Sequence, residues 1–336
     1  MPGDLPGGLS FRTALNTWSV DSIAAFAQAT IPLGERWGLT LGARYTDEDY
    51  KIVDRFDPSD PNSLPGGVNL GTRRIASEKL TYTARFQYDD GPLLAYAGVS
   101  TGFKGGTLSA VNLASPGVEP EEITSLEAGF KWDITKAVRL NASVFHYIYD
   151  NIHIAYTDTA SGANQLVNGT GARLTGVELA FSAKATDWLT LRANAFVLDS
   201  SYNDDVPTTG TQPSLATKGN RLAGAPDYVV TLGGDAIVWS GTSGELTFSA
   251  DVLISGGYYF DAENLIGTGG ASADGFTTLD LSLTYEDFEG GWKVSAWGTN
   301  VADEGYFQSG IAASGILRSA VAASPAVYGV SVRFDF

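Results

Sequence analysis

The sequence has no cysteine, two histidines and one methionine in 336 residues. The first absence excludes disulfides, thiolate zinc sites, iron–sulfur clusters and thiol nucleophiles. Only His146 and His153 could serve a Ser-His-Asp triad, and a His-rich metal site cannot be assembled. Positive charge is also scarce, since 21 Lys+Arg face 38 Asp+Glu for a net charge of −17. That excludes nucleic-acid binding through a basic surface. No run of about 18 apolar residues occurs, so no transmembrane helix is expected. The opening MPGDLPGGLSF has neither the basic nor the apolar part of a signal peptide. What is present is 40 glycines and a hydrophobic content of 43% against 18% charged residues, the composition of neither a disordered chain nor a leucine-rich helical protein.

The hydrophobic pattern repeats every second residue in segment after segment, and helical periodicity is nearly absent. Trp37, Leu39, Leu41, Ala43 and Tyr45 alternate with small or polar residues, as do Leu80 to Tyr88, Leu126 to Trp132, Val177 to Phe181, Leu246 to Ile254 and Leu279 to Tyr285. The last such run sets Tyr328, Val330, Val332, Phe334 and Phe336 against Gly329, Ser331, Arg333 and Asp335. Connections alternate between short turns, such as Asp89-Asp90-Gly91-Pro92 and Ala185-Thr186-Asp187-Trp188, and long Gly-, Ser-, Asn- and Pro-rich stretches. These predict an all-β, antiparallel meander of about thirteen strands, starting near Ser22 and ending at Phe336. Val138 to Ile154 reads as one long strand.

Short turns at one end and long ones at the other characterise a transmembrane β-barrel. A soluble sandwich would also alternate. Aromatics near strand ends, long strands and charges opposite the apolar face favour the barrel. Single-chain bacterial barrels have even strand counts, and an open sheet would expose unpaired backbone to lipid. The odd count therefore reads as a barrel whose first strands are missing.

Specific residues add a family resemblance. Leu94-Ala95-Tyr96-Ala97-Gly98-Val99-Ser100-Thr101-Gly102-Phe103-Lys104-Gly105-Gly106 and Val118 to Lys131 resemble segments of TonB-dependent outer-membrane receptors. Thr175-Gly176-Val177-Glu178-Leu179, Gly219-Asn220-Arg221-Leu222-Ala223-Gly224-Ala225-Pro226 and Gly298 to Phe307 are similar to three more, in the same order. The resemblance covers about residues 16 to 336, with residues 1–15 a loop remnant or irregular terminus. It implies a portion of a 22-stranded barrel that lacks its signal peptide, TonB-contacting box and plug. It further implies energy-coupled uptake of a large scarce nutrient in the outer membrane of a Gram-negative bacterium, foremost a ferric siderophore, without enzymatic chemistry or a cofactor. The alternative is a passive porin or structural barrel.

Within that frame, Arg44, Arg85, Lys131, Glu178, Arg192 and Asp235 are expected to face the lumen and hold a plug, because enclosed charges need partners. Tyr258, Tyr259, Phe260, Tyr306 and Phe307 are substrate-contact candidates at the outer mouth, with an interfacial girdle as the competing role. Tyr328, Val330, Val332, Phe334 and Phe336 form a terminal strand for lipid contact and the assembly machinery. Gly102, Gly105 and Gly106 are read as backbone turns. His146 and His153, seven residues apart on one strand, would sit roughly 23 Å from each other and share no ion. Asn168-Gly169-Thr170 is a loop turn, and Gly267 to Gly270 fails as a phosphate cradle for lack of a following helix. Acidic stretches such as Asp47-Glu48-Asp49, Asp54, Asp57 and Asp60, and Asp204-Asp205 could bridge lipopolysaccharide through divalent cations, although solvation alone explains them.

Overall fold

The computed structural model describes residues 15–55, 71–108, 117–157, 164–206, 216–264, 272–313 and 317–334. Phe336, Asp57, Asp60 and Gly267 to Gly270 lie outside these, as do residues 1–14. The described residues contain strands and turns and no helix. The strands are β1 (Leu15–Pro32), β2 (Trp37–Arg55), β3 (Thr72–Asp89), β4 (Leu93–Lys104), β5 (Glu121–Thr135), β6 (Val138–Asp150), β7 (His153–Thr157), β8 (Asn164–Asn168), β9 (Ala172–Lys184) and β10 (Leu189–Tyr202). They continue with β11 (Tyr228–Ser240), β12 (Gly244–Ser255), β13 (Tyr258–Tyr259), β14 (Ser272–Ala273), β15 (Phe276–Asp287), β16 (Trp292–Thr299), β17 (Phe307–Ala313), β18 (Leu317–Ala322) and β19 (Val327–Phe334).

Thirteen of them form one open antiparallel sheet in the order β1-β2-β3-β4-β5-β6-β9-β10-β11-β12-β15-β16-β19. The count matches the sequence reading, while the first strand begins at Leu15 rather than near Ser22. The other six pair as separate hairpins, β7 with β8, β13 with β14 and β17 with β18. The β17–β18 hairpin and the strands β8 and β14 lie inside segments expected to be plain long connections, whereas β7 and β13 begin just ahead of such segments. One expected strand is also cut in two. Val138 to Ile154 does not run through, because Asn151 adopts a left-handed φ of 55° after β6 ends at Asp150. His153 therefore opens the β7–β8 hairpin instead of continuing the strand of His146.

Directly paired residues in an antiparallel ladder share a face. The chain of pairs Arg44 to Thr81, Arg85 to Gly98, Gly98 to Glu127, Lys131 to Asn141, Asn141 to Ala180 and Ala180 to Asn194 carries one polar face across the sheet. The opposite face is apolar over a limited height. On β2 it runs Trp37, Leu39, Leu41, Ala43 and Tyr45 before turning to Asp47 and Asp49, and on β3 it runs Tyr88 to Leu80 before Glu78. Eight residue steps at about 3.4 Å give roughly 27 Å along the strand, or about 20 Å of height at a tilt of about 40°, close to the lipid band of outer-membrane barrels.

Among the described residues no second layer lies over this face. Leu80 is 65% exposed, Val144 53% and Val330 71%, which a sandwich would not leave in water. At the short-turn end its aromatics form a girdle, with Trp37 4.8 Å from Tyr88 and Trp292 5.4 Å from Tyr285 between ring centroids. Most of the buried apolar residues lie instead toward the long-loop end. They include Ile52, Leu108 and Val118, and a cluster that joins Ile154, Tyr202, Val206, Ala216 and Ala262. Pro120 immediately precedes β5 and Pro226 stands just ahead of β11, where a missing N–H costs nothing.

Glycines of the resemblance motifs have steric reasons. A Cβ on Gly106 would come within 2.7 Å of the Val118 carbonyl oxygen, and the Gly106 N–H donates to Ser77 Oγ at 2.9 Å. Gly176 leaves room for the Phe145 ring across the ladder.

Candidate functional site

The long-loop end is an outer cap tied together by side chains that replace missing ladder bonds. Asn168 acts as a strand partner for residue 119, accepting the Glu119 N–H at 2.7 Å and donating to its carbonyl at 3.0 Å. His153 adds a 2.6 Å contact from Nε2 to the same carbonyl, and its own N–H donates to Glu121 Oε2 at 2.8 Å. The Asn220-Arg221 pair stitches the next loop. Asn220 donates to the carbonyls of Ala262 and Glu263, and Arg221 donates to those of Ala225 and Gly257. Arg221 also pairs with Asp227 at 2.5 Å and lies over the Tyr259 ring at 5.6 Å. Planar, five-donor guanidinium suits such a junction.

The aromatic candidates divide. Tyr258 meets Phe260 edge-on at 5.6 Å and donates through its hydroxyl to the Gln308 carbonyl. Tyr306 stacks on Phe276, 3.7 Å between centroids and 7° from parallel. Burial raises the Tyr258 phenol pKa, with the nearby Tyr306 phenol adding to it. Tyr259 is instead committed to Arg221, and Phe307 is exposed beside a cavity of about 560 Å³. That cavity is lined by Asp274, Asp303, Glu304, Tyr306, Phe307 and Pro325, among others. Its rim is fixed by Asn300, a buried residue at φ 48°. The Asn300 N–H donates to Asp280 Oδ1 at 2.8 Å, and its side chain exchanges two bonds with the Glu304 backbone. Sequence reading passed over Phe276, because it lies thirty positions from its stacking partner. It also passed over Asp303 and Glu304, although they adjoin Tyr306 in Ala302-Asp303-Glu304-Gly305-Tyr306.

The six charged candidates share the polar face. Arg192 pairs with Asp235 and, at 3.4 Å, with Asp251, while Ser249 donates to Asp235 at 2.7 Å. Arg85 stacks on the Tyr96 ring at 4.0 Å, and the Tyr96 hydroxyl donates to Glu127. Arg44 bonds Thr46 at 3.0 Å. His146 lies on the opposite face against Thr175, away from His153. Among the described residues no group of three His, Asp or Glu side chains could hold a metal ion.

Residues 2–301 match the family described as TonB dependent receptor-like, beta-barrel. The chain belongs to this family. Its members are outer-membrane β-barrel proteins of Gram-negative bacteria, and the meander accordingly lies in that membrane. The probable TonB-dependent siderophore receptor PiuA of Acinetobacter baumannii is 24% identical over 261 residues, 73% of this chain and 33% of PiuA. The fold superposes on the ferric yersiniabactin uptake receptor FyuA from Yersinia pestis with a TM-score of 0.78 at 20% identity, covering 96% of this chain and 47% of FyuA. The copper transporter OprC gives a TM-score of 0.70 at 18% identity, with 95% and 50% covered. The chain thus spans about a third of the length of PiuA and about half of these solved barrels.

One titration follows from the cap of this family member. Burial raises the carboxyl pKa of Asp261, and that of Glu263 is raised by burial and by Asp261. Asp261 Oδ1 accepts the N–H groups of Glu263 and Asn264, but its buried Oδ2 has no partner. Groups with a raised folded pKa stabilise the fold at low pH and lose that contribution as pH rises through the raised value. The segments 216–222 and 258–264 should therefore show greater amide-exchange protection, corrected for intrinsic rate, at mildly acidic than at neutral pH. Asp261→Asn should raise protection at neutral pH and flatten the dependence.

Proposed function

We propose that this chain is wall and outer cap of an energy-coupled uptake receptor for a large scarce nutrient, foremost a ferric siderophore. The observation that carries the reading is the cap itself. At one end of a lipid-banded meander, described parts of the long connections pack into a buried cluster, and an aromatic-lined cavity lies at the same end. A passive pore needs no such structure. Aromatic rims capture large, partly apolar ligands by stacking and area burial. Tyr258, Phe260, Tyr306 and Phe307 would contact cargo, while Tyr259 is held by Arg221.

The polar face would be the lumen wall, where Arg44, Arg85, Lys131, Glu178, Arg192 and Asp235 meet a plug that contacts TonB. Tyr328, Val330, Val332, Phe334 and Phe336 would present the terminal strand to lipid and to the assembly machinery, with lipopolysaccharide against the outer part of the apolar face. Binding and passage are involved, and no bond is made or broken. Cells producing the full-length receptor should accumulate a ferric chelate only while the inner membrane is energised and TonB is present. Accumulation that persists after an uncoupler, or without TonB, would refute energy coupling and favour a pore.

A further inference from the structure

We infer that the cargo entering over the β15–β19 side of the mouth is cationic, a chelate with an ammonium or similar positive group, and not a polyanionic one. The inference rests on the uptake reading and adds the sign of charge to it.

The cavity of about 560 Å³ combines aromatic walls, Tyr306 and Phe307, with three carboxylates, Asp274, Asp303 and Glu304, and among the described residues no base lines it. Neighbouring bases whose side chains are described, Arg192, Lys218 and Arg221 among them, are already ion-paired. Each is engaged with a carboxylate, Arg192 with Asp235 and Asp251, Lys218 with Asp204 and Arg221 with Asp227. The same sign continues down the wall. Asp251 and Asp280 stand directly opposite each other in the β12–β15 register on the polar face. Asn300 links Asp280 to the backbone of Glu304, so wall and cavity rim form one hydrogen-bonded unit.

Opposed like charges disfavour a strand pair, and here Arg192 offsets Asp251 while Asp280 accepts the Asn300 N–H. A concave site of one sign raises the local concentration of opposite charge and speeds its encounter. Ring faces add attraction for an organic ammonium. A tris-catecholate ferric chelate, being a polyanion, would meet repulsion at the rim.

The test uses outer-membrane vesicles from cells producing the full-length receptor, with two redox-inert probes: a gallium(III) tris-hydroxamate bearing a free ammonium arm, and a gallium(III) tris-catecholate. The ammonium chelate should bind with an affinity that falls with salt, and the catecholate should bind far less. The combined change Asp274→Asn, Asp303→Asn and Glu304→Gln should weaken the ammonium chelate by about tenfold. The remote pair Asp204→Asn and Asp205→Asn should leave it unchanged. Catecholate binding equal to or tighter than that of the ammonium chelate would overturn the charge inference while leaving the uptake reading intact. Equal loss from the remote pair would also overturn it. Binding of neither probe would count against both.

Discussion

Leu41→Arg lowers the unfolding free energy by about 2–4 kcal/mol, read from urea titration of the receptor folded into phospholipid vesicles. Leu41 sits midway between Trp37 and Tyr45 on the uncovered apolar face of β2. An arginine there must leave its guanidinium in hydrocarbon or bend toward an interface, and mid-height gives it the longest reach. Gln28→Arg is the matched control, since Gln28 on β1 pairs with Gly42 at the same height but on the polar face. It should cost less than about 1 kcal/mol. Equal costs at the two positions would mean that the apolar face meets something other than lipid.

The second large effect is at Gly176, in the Thr175-Gly176-Val177-Glu178-Leu179 motif. A Cβ there would fall 2.3 Å from Phe145 Cζ and 2.7 Å from the Val197 carbonyl oxygen. The first clash involves a ring already held on both sides, by Tyr147 at 4.7 Å and Phe196 at 6.1 Å. The second involves backbone of the neighbouring strand, which cannot swing away. Overpacking of this kind costs about 1–3 kcal/mol, and Gly176→Val should fall at the upper end. Phe145 is buried, so Phe145→Ala is itself destabilising. The two changes should couple, the double variant being less destabilised than the sum by about 0.5–3 kcal/mol. Strict additivity in the same titration would sink the ring-accommodation account of this glycine.

Alternation made the main sheet legible because a period of two is local: Trp37 to Tyr45 declares its face without reference to β3. The short turns declared themselves through Asp89-Asp90-Gly91-Pro92 and its counterparts, where Asp90 Oδ1 accepts the Leu93 N–H. The outer hairpins did not, because their strands are short and their ties are long-range. Nothing near Asn168 in sequence says that it will stand in for a strand beside Glu119, forty-nine positions away. The break at Asn151 was hidden for a similar reason, since an apolar-polar rhythm carries on through Ile152 and Ile154 after the backbone has turned. In the candidate site, the aromatic residues were visible as residues, but the Phe276–Tyr306 stack and the role of Asn300 depend on contacts across loops.

The wall's upper edge is built in two different ways, and this bears on how it yields. On one side β1, β2 and β3, 18 to 19 residues each, carry a continuous ladder far above the lipid band. On the other, β16 and β19 stop after eight residues, and the height above them is supplied by β17–β18, a hairpin bonded to itself and not to the main sheet. Opening the tall side means unzipping the sheet from its end, while β7–β8, β13–β14 and β17–β18 are closed hydrogen-bonded leaves held by isolated ties, such as those from the Gly224 N–H to the Tyr259 carbonyl and from the Tyr258 hydroxyl to the Gln308 carbonyl. The rim therefore has a stiff backstop at β1–β3 and hairpin leaves from β6 onward, two of them, β13–β14 and β17–β18, joined to each other on the side where the aromatic cavity lies.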